Sequence, residues 1–456
     1  MKISRFVVAA SAGIGLALSF TTGSAAVAAG LLAPVSDTEA RVAAGKGSVG
    51  GAHVLRSRIV KVDTAELARH VAPLGGGAAA DRITKANALD GVIGVDLFPN
   101  VSATFTRTDV DDVAGSLAWV GETKAGSSEF VSMIVDNGQV TGFVQLGSRT
   151  FRIEPLDGAI HRVLEIDASK LPEDRVKEIP ASKISTMGAP SALDQARAGT
   201  NTIIRVLIAY TKAAKVEDAN IVNDIKNAVS IANAGYKNTN MLIKLQVADI
   251  ISAGNYNEAT GGDDFEKNLN DVDGSNGSVL KAIRTKRNKL KADVVSLWRK
   301  TNSQGLCGIA NLTDHPKATN TSNFAFSVMN WQCISNLSFH HEIGHNMGLR
   351  HDRFVDNTPG VGYNHGYVND NQLCKVRTIM AYNNACSNQG FNCTRVNVFS
   401  TPKFVWILPN QTRCVIGVAN STDNSRRGKE TKGQISKYRT GTPADMGDEV
   451  AAAADK

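Results

Sequence analysis

The sequence has almost no long apolar stretches, and the one that it has lies at its start. Lys2 and Arg5 precede an apolar run from Phe6 to about Phe20, and small residues follow around Ala26-Val27-Ala28. This pattern is typical of a secretory signal peptide, whereas a membrane anchor would need a longer run without Ser and Gly. No later stretch is long and apolar enough to span a bilayer. We therefore expect a signal peptide at 1–28 and an exported chain with no membrane span.

Cysteine is missing from the first 306 residues, and all six cysteines lie between Cys307 and Cys414. An even number of cysteines in an exported chain indicates disulfides rather than a thiolate metal site. Six cysteines allow fifteen pairings, so the sequence does not fix one of them. The pairing that we prefer is Cys307–Cys333, Cys386–Cys393 and Cys374–Cys414.

Basic residues interleaved with aromatic residues are also missing, which argues against nucleic acid as a partner. The net charge of +7 is divided unevenly along the chain. Residues 200–456 contain 30 Lys+Arg and 22 Asp+Glu, a net +8, and residues 29–199 contain 18 and 21, a net −3. An acidic leader beside a basic body suits a segment that covers a basic cleft, although solubility alone is also a sufficient reason.

Histidine is scarce outside one region, because six of the nine histidines lie between His315 and His365. Within HHEIGHNMGLRHD, His341 and His345 are four residues apart and share one face of a helix, within reach of one metal ion. Gly348 can adopt the left-handed conformation that ends a helix, so that the chain returns His351 to the same ion. Three neutral imidazoles leave a fourth position for water, which is typical of catalytic zinc.

Glu342 lies beside the first histidine, where it is better placed to hold a water molecule as general base than to bind the metal. A solvated helix that carries histidines by chance is the alternative, and the added spacings of Gly348 and His351 argue against it. Since no cysteine precedes position 307, no thiolate from the leader can bind this metal.

A second motif, Thr-Ile-Met-Ala-Tyr, follows at residues 378–382. Downstream of such a helix, Met380 is expected to form a hydrophobic floor beneath the three histidines. Tyr382 can bind the metal or donate a hydrogen bond to a tetrahedral oxyanion. A tyrosine packed at the edge of the core is the equally weighted alternative.

Residues 200–440 resemble a secreted metzincin zinc endopeptidase of the reprolysin-like group, and among these the bacterial peptidyl-Asp metalloendopeptidases. The fragments that carry this likeness are RVLIAYTKAA, ADVVSLW, NLSFHHEIGHNMGLRHD and RTIMAY. The tyrosine after the methionine is similar to that of astacins and serralysins. The resemblance implies that His341, His345 and His351 are the zinc ligands and that Glu342 is the base. It also implies that Met380 forms the methionine turn and that Asp352 is an acid that buttresses the fold.

The resemblance also implies polypeptide substrates that are cleaved on the amino side of Asp, which requires a cation beyond the scissile bond. The candidate cations are Arg377, Arg395 and Lys375, and each can equally be a solvated surface charge. The substrate is expected to pair with an edge strand at Gly308–Leu312, chiefly with Gly308, Ile309 and Ala310. Leu193-Asp194 is a candidate site of self-processing.

The order of strand and helix signals predicts three parts after the signal peptide. Residues 29–199 read as a propeptide and intramolecular inhibitor, with a small antiparallel β-domain at 91–167 and a Pro-containing linker at 168–199. Residues 200–440 read as an α/β (α+β) catalytic domain, a twisted mixed sheet backed by helices plus an irregular, disulfide-bonded lower subdomain. Residues 441–456 read as a disordered tail.

Three further expectations complete the interpretation of the sequence. The protein is expected to be a monomer that acts outside the cell. Asp271, Asp273 and Asn276 resemble a calcium loop only loosely, since the expected glycine falls elsewhere. The competing functions are a secreted binding or adhesion protein of the same fold that uses zinc for stability, and a precursor whose propeptide never leaves.

Overall fold

The computed structural model describes residues 30–45, 51–64, 66–67, 91–124, 127, 129–184, 201–300, 305–314, 321–408 and 410–439. The expected signal peptide, the Leu193-Asp194 site and the expected tail lie outside these residues. Among the described helices, none combines the length and the apolar character that a membrane crossing needs.

The N-terminal part of the structure is a nine-stranded antiparallel sheet that curls on itself. Its strands are β1 (Leu32–Pro34), β2 (Val54–Val62), β3 (Val92–Phe98), β4 (Val101–Val113), β5 (Ser116–Glu122), β6 (Phe130–Asp136), β7 (Gln139–Leu146), β8 (Arg149–Asp157) and β9 (Ile160–Ile166), with one helix, α1 (Asp37–Ala44). The strand order is β1-β2-β9-β8-β7-β6-β5-β4-β3. The two edges meet, because the Leu31 amide donates to the Gly94 carbonyl at 2.9 Å.

The strand signals between residues 91 and 167 correspond to six of these strands, and two features of the sheet differ from the expectation. The sheet begins before residue 91, because β1 and β2 pair with its edge. Strand β5 was missed, since its Gly121 interrupts the strand signal. A Cβ atom at Gly121 would lie 2.3 Å from the Trp119 ring, so the buried ring explains the glycine.

The second sheet is mixed, as the sequence predicts. Its strands are β10 (Arg175–Glu178), β11 (Thr202–Tyr210), β12 (Ile243–Ser252), β13 (Val294–Arg299), β14 (Gly308–Leu312) and β15 (Phe326–Asn330). The order is β10-β14-β15-β13-β11-β12, and β14 runs antiparallel to β15 while the pairs among β11, β12, β13 and β15 are parallel. Strand β14 is therefore the last strand contributed by residues after 200 on this side of the sheet, and β10 pairs with its outer edge.

Helices cover both faces of this sheet. They are α2 (Lys212–Glu217), α3 (Ile221–Asn238), α4 (Asp264–Asp273), α5 (Lys281–Leu290) and α6 (Ser338–Asn346). Helices α3 and α6 share one apolar cluster with the sheet, to which Ile225 and Ile343 belong. Helices α4 and α5 bury Phe265 and Ile283 in the cluster on the opposite face.

The segment with the loose calcium-loop pattern is largely helical, because α4 occupies residues 264–273. Phe265, Leu269 and Val272 are buried at helical spacing, so a short apolar stripe stabilises a segment that is otherwise polar. Asp271, which was weighed as a calcium ligand, accepts hydrogen bonds from the Tyr256 hydroxyl and the Asn276 amide, both at 2.7 Å.

The described residues from 201 onward form the body of the protein, and the part that follows α6 contains little regular structure and two of the disulfides. Its elements are β16 (Val368–Asn369), β17 (Val376–Arg377), β18 (Thr394–Arg395), β19 (Thr401–Ile407), β20 (Arg413–Ile416), α7 (Asn384–Ser387) and α8 (Asn424–Ile435). Disulfides join Cys374 to Cys414 and Cys386 to Cys393, and a third joins Cys307 beside β14 to Cys333 before α6. These are the three pairs that the sequence analysis prefers.

Residues 168–184 are not the featureless linker that we expected. Short 3-10 turns at Ala168–Lys170 and Ala181–Lys183 flank β10, and β10 pairs in parallel with β14. The nine-stranded sheet in turn packs on α3, and Phe130 and Phe143 belong to the same apolar cluster as the catalytic body. The N-terminal part therefore folds against the body and sends a strand along its edge.

Candidate metal centre

Helix α6 carries the first two histidines, and it is buried along its whole length. It begins at Ser338, because residues 331–336 form a 3-10 helix and Leu337 adopts a left-handed φ of 59° between the two helices. Gly348 has a φ of 79°, so the chain reverses at the glycine as predicted. This reversal returns His351 towards the helix.

The three imidazoles converge through their Nε2 atoms. These atoms lie 3.1 Å apart between His345 and His341, 3.0 Å between His345 and His351, and 3.3 Å between His341 and His351. A tetrahedral zinc ion with Zn–N bonds of about 2.0–2.1 Å needs nitrogens about 3.3 Å apart, so the donor set fits this metal. The three residues form a group that can hold a metal ion.

Neighbouring carbonyl groups orient two of the imidazoles. Nδ1 of His341 lies 2.8 Å from the Ile379 carbonyl oxygen, and Nδ1 of His345 lies 2.9 Å from that of Leu349. Donation from Nδ1 leaves Nε2 with its lone pair directed to the metal. Burial, aided by the neighbouring imidazoles, lowers the pKa of His341 and His351 well below its usual value, and burial lowers the pKa of His345 to about 4. All three are therefore neutral donors near pH 7.

Met380 lies directly under α6. A Cβ atom at Gly344 would lie 2.6 Å from the Met380 sulfur, so the glycine permits the helix to rest on the methionine. The methionine turn is held by Asp352, whose carboxylate accepts a hydrogen bond from the backbone amide of Tyr382 at 2.8 Å. The same carboxylate also accepts one from the backbone amide of Phe354 at 3.0 Å. Asp352 thus joins the third histidine to the methionine turn.

Glu342 lies beside this cluster in a fully buried position. Neither of its carboxylate oxygens accepts a hydrogen bond from an N–H or hydroxyl group within the described part of the chain, and its side-chain hydrogen-bond neighbour is the carboxyl group of Asp174. A Cβ atom at Gly308 would lie 2.3 Å from Oε1, so only a glycine at the start of β14 leaves room for this carboxylate. Burial, and then the charge of Asp174, raises the pKa of Glu342 well above its usual value. A buried carboxylate that lacks an N–H or hydroxyl donor is costly, which fits a role towards a ligand.

Tyr382 borders the same space. Its ring centroid lies 4.2 Å from that of His351, and its hydroxyl donates a hydrogen bond to the Asp174 carbonyl oxygen. Burial, followed by the charges of Asp174 and Glu173, raises the pKa of Tyr382 well above its usual value. The hydroxyl is therefore protonated and serves as a donor at the site.

Two arginines stand together next to the histidines. Nη1 of Arg377 and Nη2 of Arg395 both donate to Oε2 of Glu173, at 3.0 Å and 2.9 Å, and the Asn383 amide donates to Oε1 at 2.9 Å. Both arginines are buried and are held by backbone carbonyls, including that of Ala381. They form a fixed pocket that binds a carboxylate, and they are not solvated surface charges.

The other candidates occupy different positions. Lys375 lies over the Phe391 ring at 4.9 Å instead of joining the arginines. Gly308, Ile309 and Ala310 lie on the edge strand as predicted, where Ile309 and Ala310 face Arg175 and Val176 of β10 in the parallel register. His340 lies 2.9 Å from the Asn397 side-chain oxygen, so it is a packed core residue of α6.

Glu173 and Asp174 are the residues that sequence reasoning missed. Both come from the segment that was read as a linker, and Asp174 is grouped with His341 and Glu342 as a potential metal-binding set. The available signal was weak, since two adjacent acids after Pro172 are common in exposed loops. Only the fold shows that this pair enters a basic, buried pocket.

Comparisons with known proteins agree with this geometry. Residues 222–352 match the family model of reprolysin-like metallo-peptidases, M12B. Peptidyl-Asp metalloendopeptidases from two strains of Stenotrophomonas maltophilia are 31% identical over 329 residues, which cover 70% of this chain and 72% of theirs. The enzyme of the same name from Xanthomonas campestris pv. campestris is 31% identical over 355 residues, which cover 74% of this chain and 79% of its own.

Proposed function

We propose that this chain, which belongs to the reprolysin-like metallopeptidase family, is a secreted zinc endopeptidase that cleaves internal peptide bonds on the amino side of aspartate. Zinc is the cofactor of this family, and polypeptides are its substrates. The observation that carries the proposal is the convergence of three Nε2 atoms beside the buried carboxylate of Glu342, which accepts no hydrogen bond from an N–H or hydroxyl group of the described residues. A binding protein that used zinc only for stability would not need that carboxylate.

The residues divide the reaction among them. His341, His345 and His351 hold the metal, and zinc bound there supplies the Lewis acidity that polarises the scissile carbonyl. Glu342 takes a proton from the attacking water and returns it to the leaving amine. The Tyr382 hydroxyl donates a hydrogen bond to the oxyanion. Met380 and Asp352 keep the imidazoles and the tyrosine in position.

Substrate binds as an added strand on the edge of the second sheet. Backbone groups of Gly308, Ile309 and Ala310 lie on β14, where Gly308 adjoins Glu342, and Ile309 and Ala310 already pair with β10 of the chain itself. An exposed edge recognises main chain without regard to sequence, so side-chain pockets must provide selectivity.

The pocket of Arg377 and Arg395 provides that selectivity. The carboxylate of Glu173 pairs with both arginines, which supports a pocket for a carboxylate side chain. The relatives are called peptidyl-Asp metalloendopeptidases, and a buried pair of guanidinium groups next to the metal centre is suited to an aspartate side chain. Glu173 in this pocket and residues 175–178 beside β14 support the further proposal that residues 29–199 act as an intramolecular inhibitor.

One substitution tests the proposed function. Glu342→Gln keeps the shape of the side chain and removes the base, so we expect unchanged zinc content and no measurable hydrolysis of casein. The wild-type protein should lose its activity with a chelator and regain it with zinc. Wild-type hydrolysis by the Gln variant would refute the mechanism, and a zinc-bound wild-type mature protein without any hydrolysis would favour the binding or adhesion protein.

A further inference from the structure

The pocket of Arg377 and Arg395 carries more positive charge than one carboxylate balances. Both guanidinium groups donate to Oε2 of Glu173, and the backbone amide of Asn383 donates to Oε1. A second acid balances the remaining charge, because Oδ2 of Asp174 lies 2.8 Å from Nη1 of Arg395. Buried charges are stable when they are paired, so these two guanidinium groups require two negative charges.

Both of these acids precede β10, in the part of the chain that is expected to be removed as a propeptide. Two acids of the body, Asp352 and Glu342, also interact electrostatically with the arginines. Asp352 already accepts two backbone amides, and Glu342 lies beside the three histidines. Removal of residues 173 and 174 therefore leaves two guanidinium groups for the side chain of a substrate. An aspartate brings one negative charge, whereas a phosphate ester brings about 1.5 to 2 near pH 7.

The reach of the pocket fits a phosphoserine side chain, for which the carboxylate of Glu173 is a stand-in. The backbone of Glu173 is fixed beside the edge strand, because its carbonyl accepts a hydrogen bond from the Cys307 amide at 3.2 Å. Phosphorus in phosphoserine is as many bonds from Cα as the carboxyl carbon of glutamate is, whereas the carboxyl carbon of aspartate is one bond closer. A phosphate group also offers an oxygen to each of the nitrogen donors in the pocket.

Backbone groups keep the pocket in shape independently of its occupant. The Ala381 carbonyl accepts from both arginines, at 2.7 Å and 3.1 Å, and the Cys393 carbonyl accepts from Nε of Arg377 at 3.2 Å. The side-chain oxygen of Asn383 accepts from the Cys393 amide at 2.8 Å, and a disulfide joins Cys393 to Cys386. The two cations and the amide donor therefore stay in place when another anion enters.

We propose that the protein also hydrolyses peptide bonds on the amino side of phosphoserine, and that Arg377, Arg395 and the Asn383 amide bind the dianionic phosphate. This inference rests on the zinc peptidase function proposed above. Water adds across the peptide bond, and Glu342 moves a proton from the water to the leaving amine, as it does before aspartate. The phosphate ester stays intact. Paired arginines suit phosphate, because their planar N–H groups match its oxygens.

Four peptides that differ only in the residue after the scissile bond separate charge from reach. The residues are phosphoserine, glutamate, aspartate and serine, and glutamate has the reach of phosphoserine with one charge. For the secreted protein after processing, kcat/KM near pH 7 should be at least about 10-fold higher for the phosphoserine peptide than for the glutamate peptide, as expected for one added charge-assisted hydrogen bond. Mass spectrometry of the products should show cleavage before phosphoserine with the phosphate retained.

The pH dependence is an independent measurement on the unaltered protein. The second pKa of phosphoserine is about 6, and a glutamate side chain is mostly ionised above about pH 5. The ratio of kcat/KM for the phosphoserine peptide to that for the glutamate peptide should therefore rise by up to about tenfold between about pH 5 and about pH 7. Arg377→Gln should lower this ratio. Lys375→Gln is the matched control and should not alter it, since Lys375 lies over the Phe391 ring.

The outcomes separate this inference from the proposed function. A phosphoserine peptide that is cleaved no faster than the glutamate peptide, or a ratio that stays constant with pH, would overturn the inference. Cleavage of the aspartate peptide in that case would leave the proposed function intact. Failure of the zinc-loaded protein to cleave any of the four peptides would overturn both.

Discussion

At the scale of single residues, burial fixes the orientation of the charged side chains beside the metal centre. Arg377 and Arg395 are both inside the protein, and their orientation is set by carbonyl groups before any ligand arrives. Burial, and then the positive charge of Arg395, lowers the pKa of Arg377 to about 10, so it remains charged near pH 7. Preorganised guanidinium groups bind a carboxylate with little loss of conformational entropy.

The pocket gives a prediction about selectivity. Arg377→Gln should lower the ratio of kcat/KM for a peptide with Asp after the scissile bond to that for the matching Asn peptide. A lost charge-assisted hydrogen bond of about 1.5–3 kcal/mol corresponds to a fall of roughly 10- to 150-fold. Arg377→Lys should recover part of the ratio, and Lys375→Gln should not alter it because Lys375 lies elsewhere. An unchanged ratio in Arg377→Gln would remove Arg377 from the specificity pocket.

At the scale of elements, the site is assembled from two segments that are joined covalently. Cys307 precedes β14, which leaves room for Glu342, and Cys333 precedes α6, which carries Glu342 itself. The disulfide closes a loop of sequence separation 26, against 7 for Cys386–Cys393. A longer loop gains more conformational freedom when the bridge is removed, so the two bridges should differ in their effect on stability.

The loop lengths give a prediction about stability. Removing the bridge by Cys307→Ser with Cys333→Ser should lower the free energy of unfolding by about 3.5 kcal/mol, and Cys386→Ser with Cys393→Ser by about 2.4 kcal/mol. The measurement is urea unfolding in the Glu342→Gln background, which prevents self-cleavage. Equal losses, or a larger loss for the shorter loop, would show that native contacts and not loop entropy set the contribution of these bridges.

At the scale of the whole molecule, basic residues after position 200 pair with acidic residues of the nine-stranded sheet. Lys237 pairs with Asp109 at 2.8 Å and Lys244 pairs with Asp111 at 2.8 Å, while Lys226 pairs with Asp136 at 2.7 Å. Each pair joins a basic residue of the catalytic body to an acid of the nine-stranded sheet. The Lys237–Asp109 pair is exposed, so salt screens its attraction, whereas Asp111 and Lys226 are largely buried and their pairs are screened less.

The interface gives a prediction about release of the N-terminal part. After the chain is cut between the two parts, the noncovalent complex should survive gel filtration at about 0.05 M salt and dissociate measurably more at about 0.5 M, because the Debye length shrinks. Asp109→Asn combined with Asp111→Asn should weaken this dependence on salt. Retention that is independent of salt would indicate that the apolar contacts of Phe130 and Phe143 alone hold the parts together.

The sequence by itself determined the metal centre and the kind of sheet that carries it. The spacings of His341, His345, Gly348 and His351 are local properties of one helix and one reversal, and the order of strand and helix signals predicts a mixed sheet backed by helices. The role of Met380 also followed from its motif, and the even number of cysteines predicted disulfides without fixing which cysteines pair. These features depend on neighbours along the chain, or on chemistry that allows few alternatives.

Only the tertiary structure shows which residues from distant segments lie beside the metal centre. Glu173 and Asp174 lie far from the histidines in sequence, and nothing in a Pro-containing polar segment predicts that it becomes a strand beside β14. The pairing of Arg377 with Arg395 likewise depends on β17 and β18, each two residues long, lying side by side. Such contacts join segments that are distant in the sequence. Each segment alone could pack against many others with similar energy, so only the complete folded structure selects one arrangement.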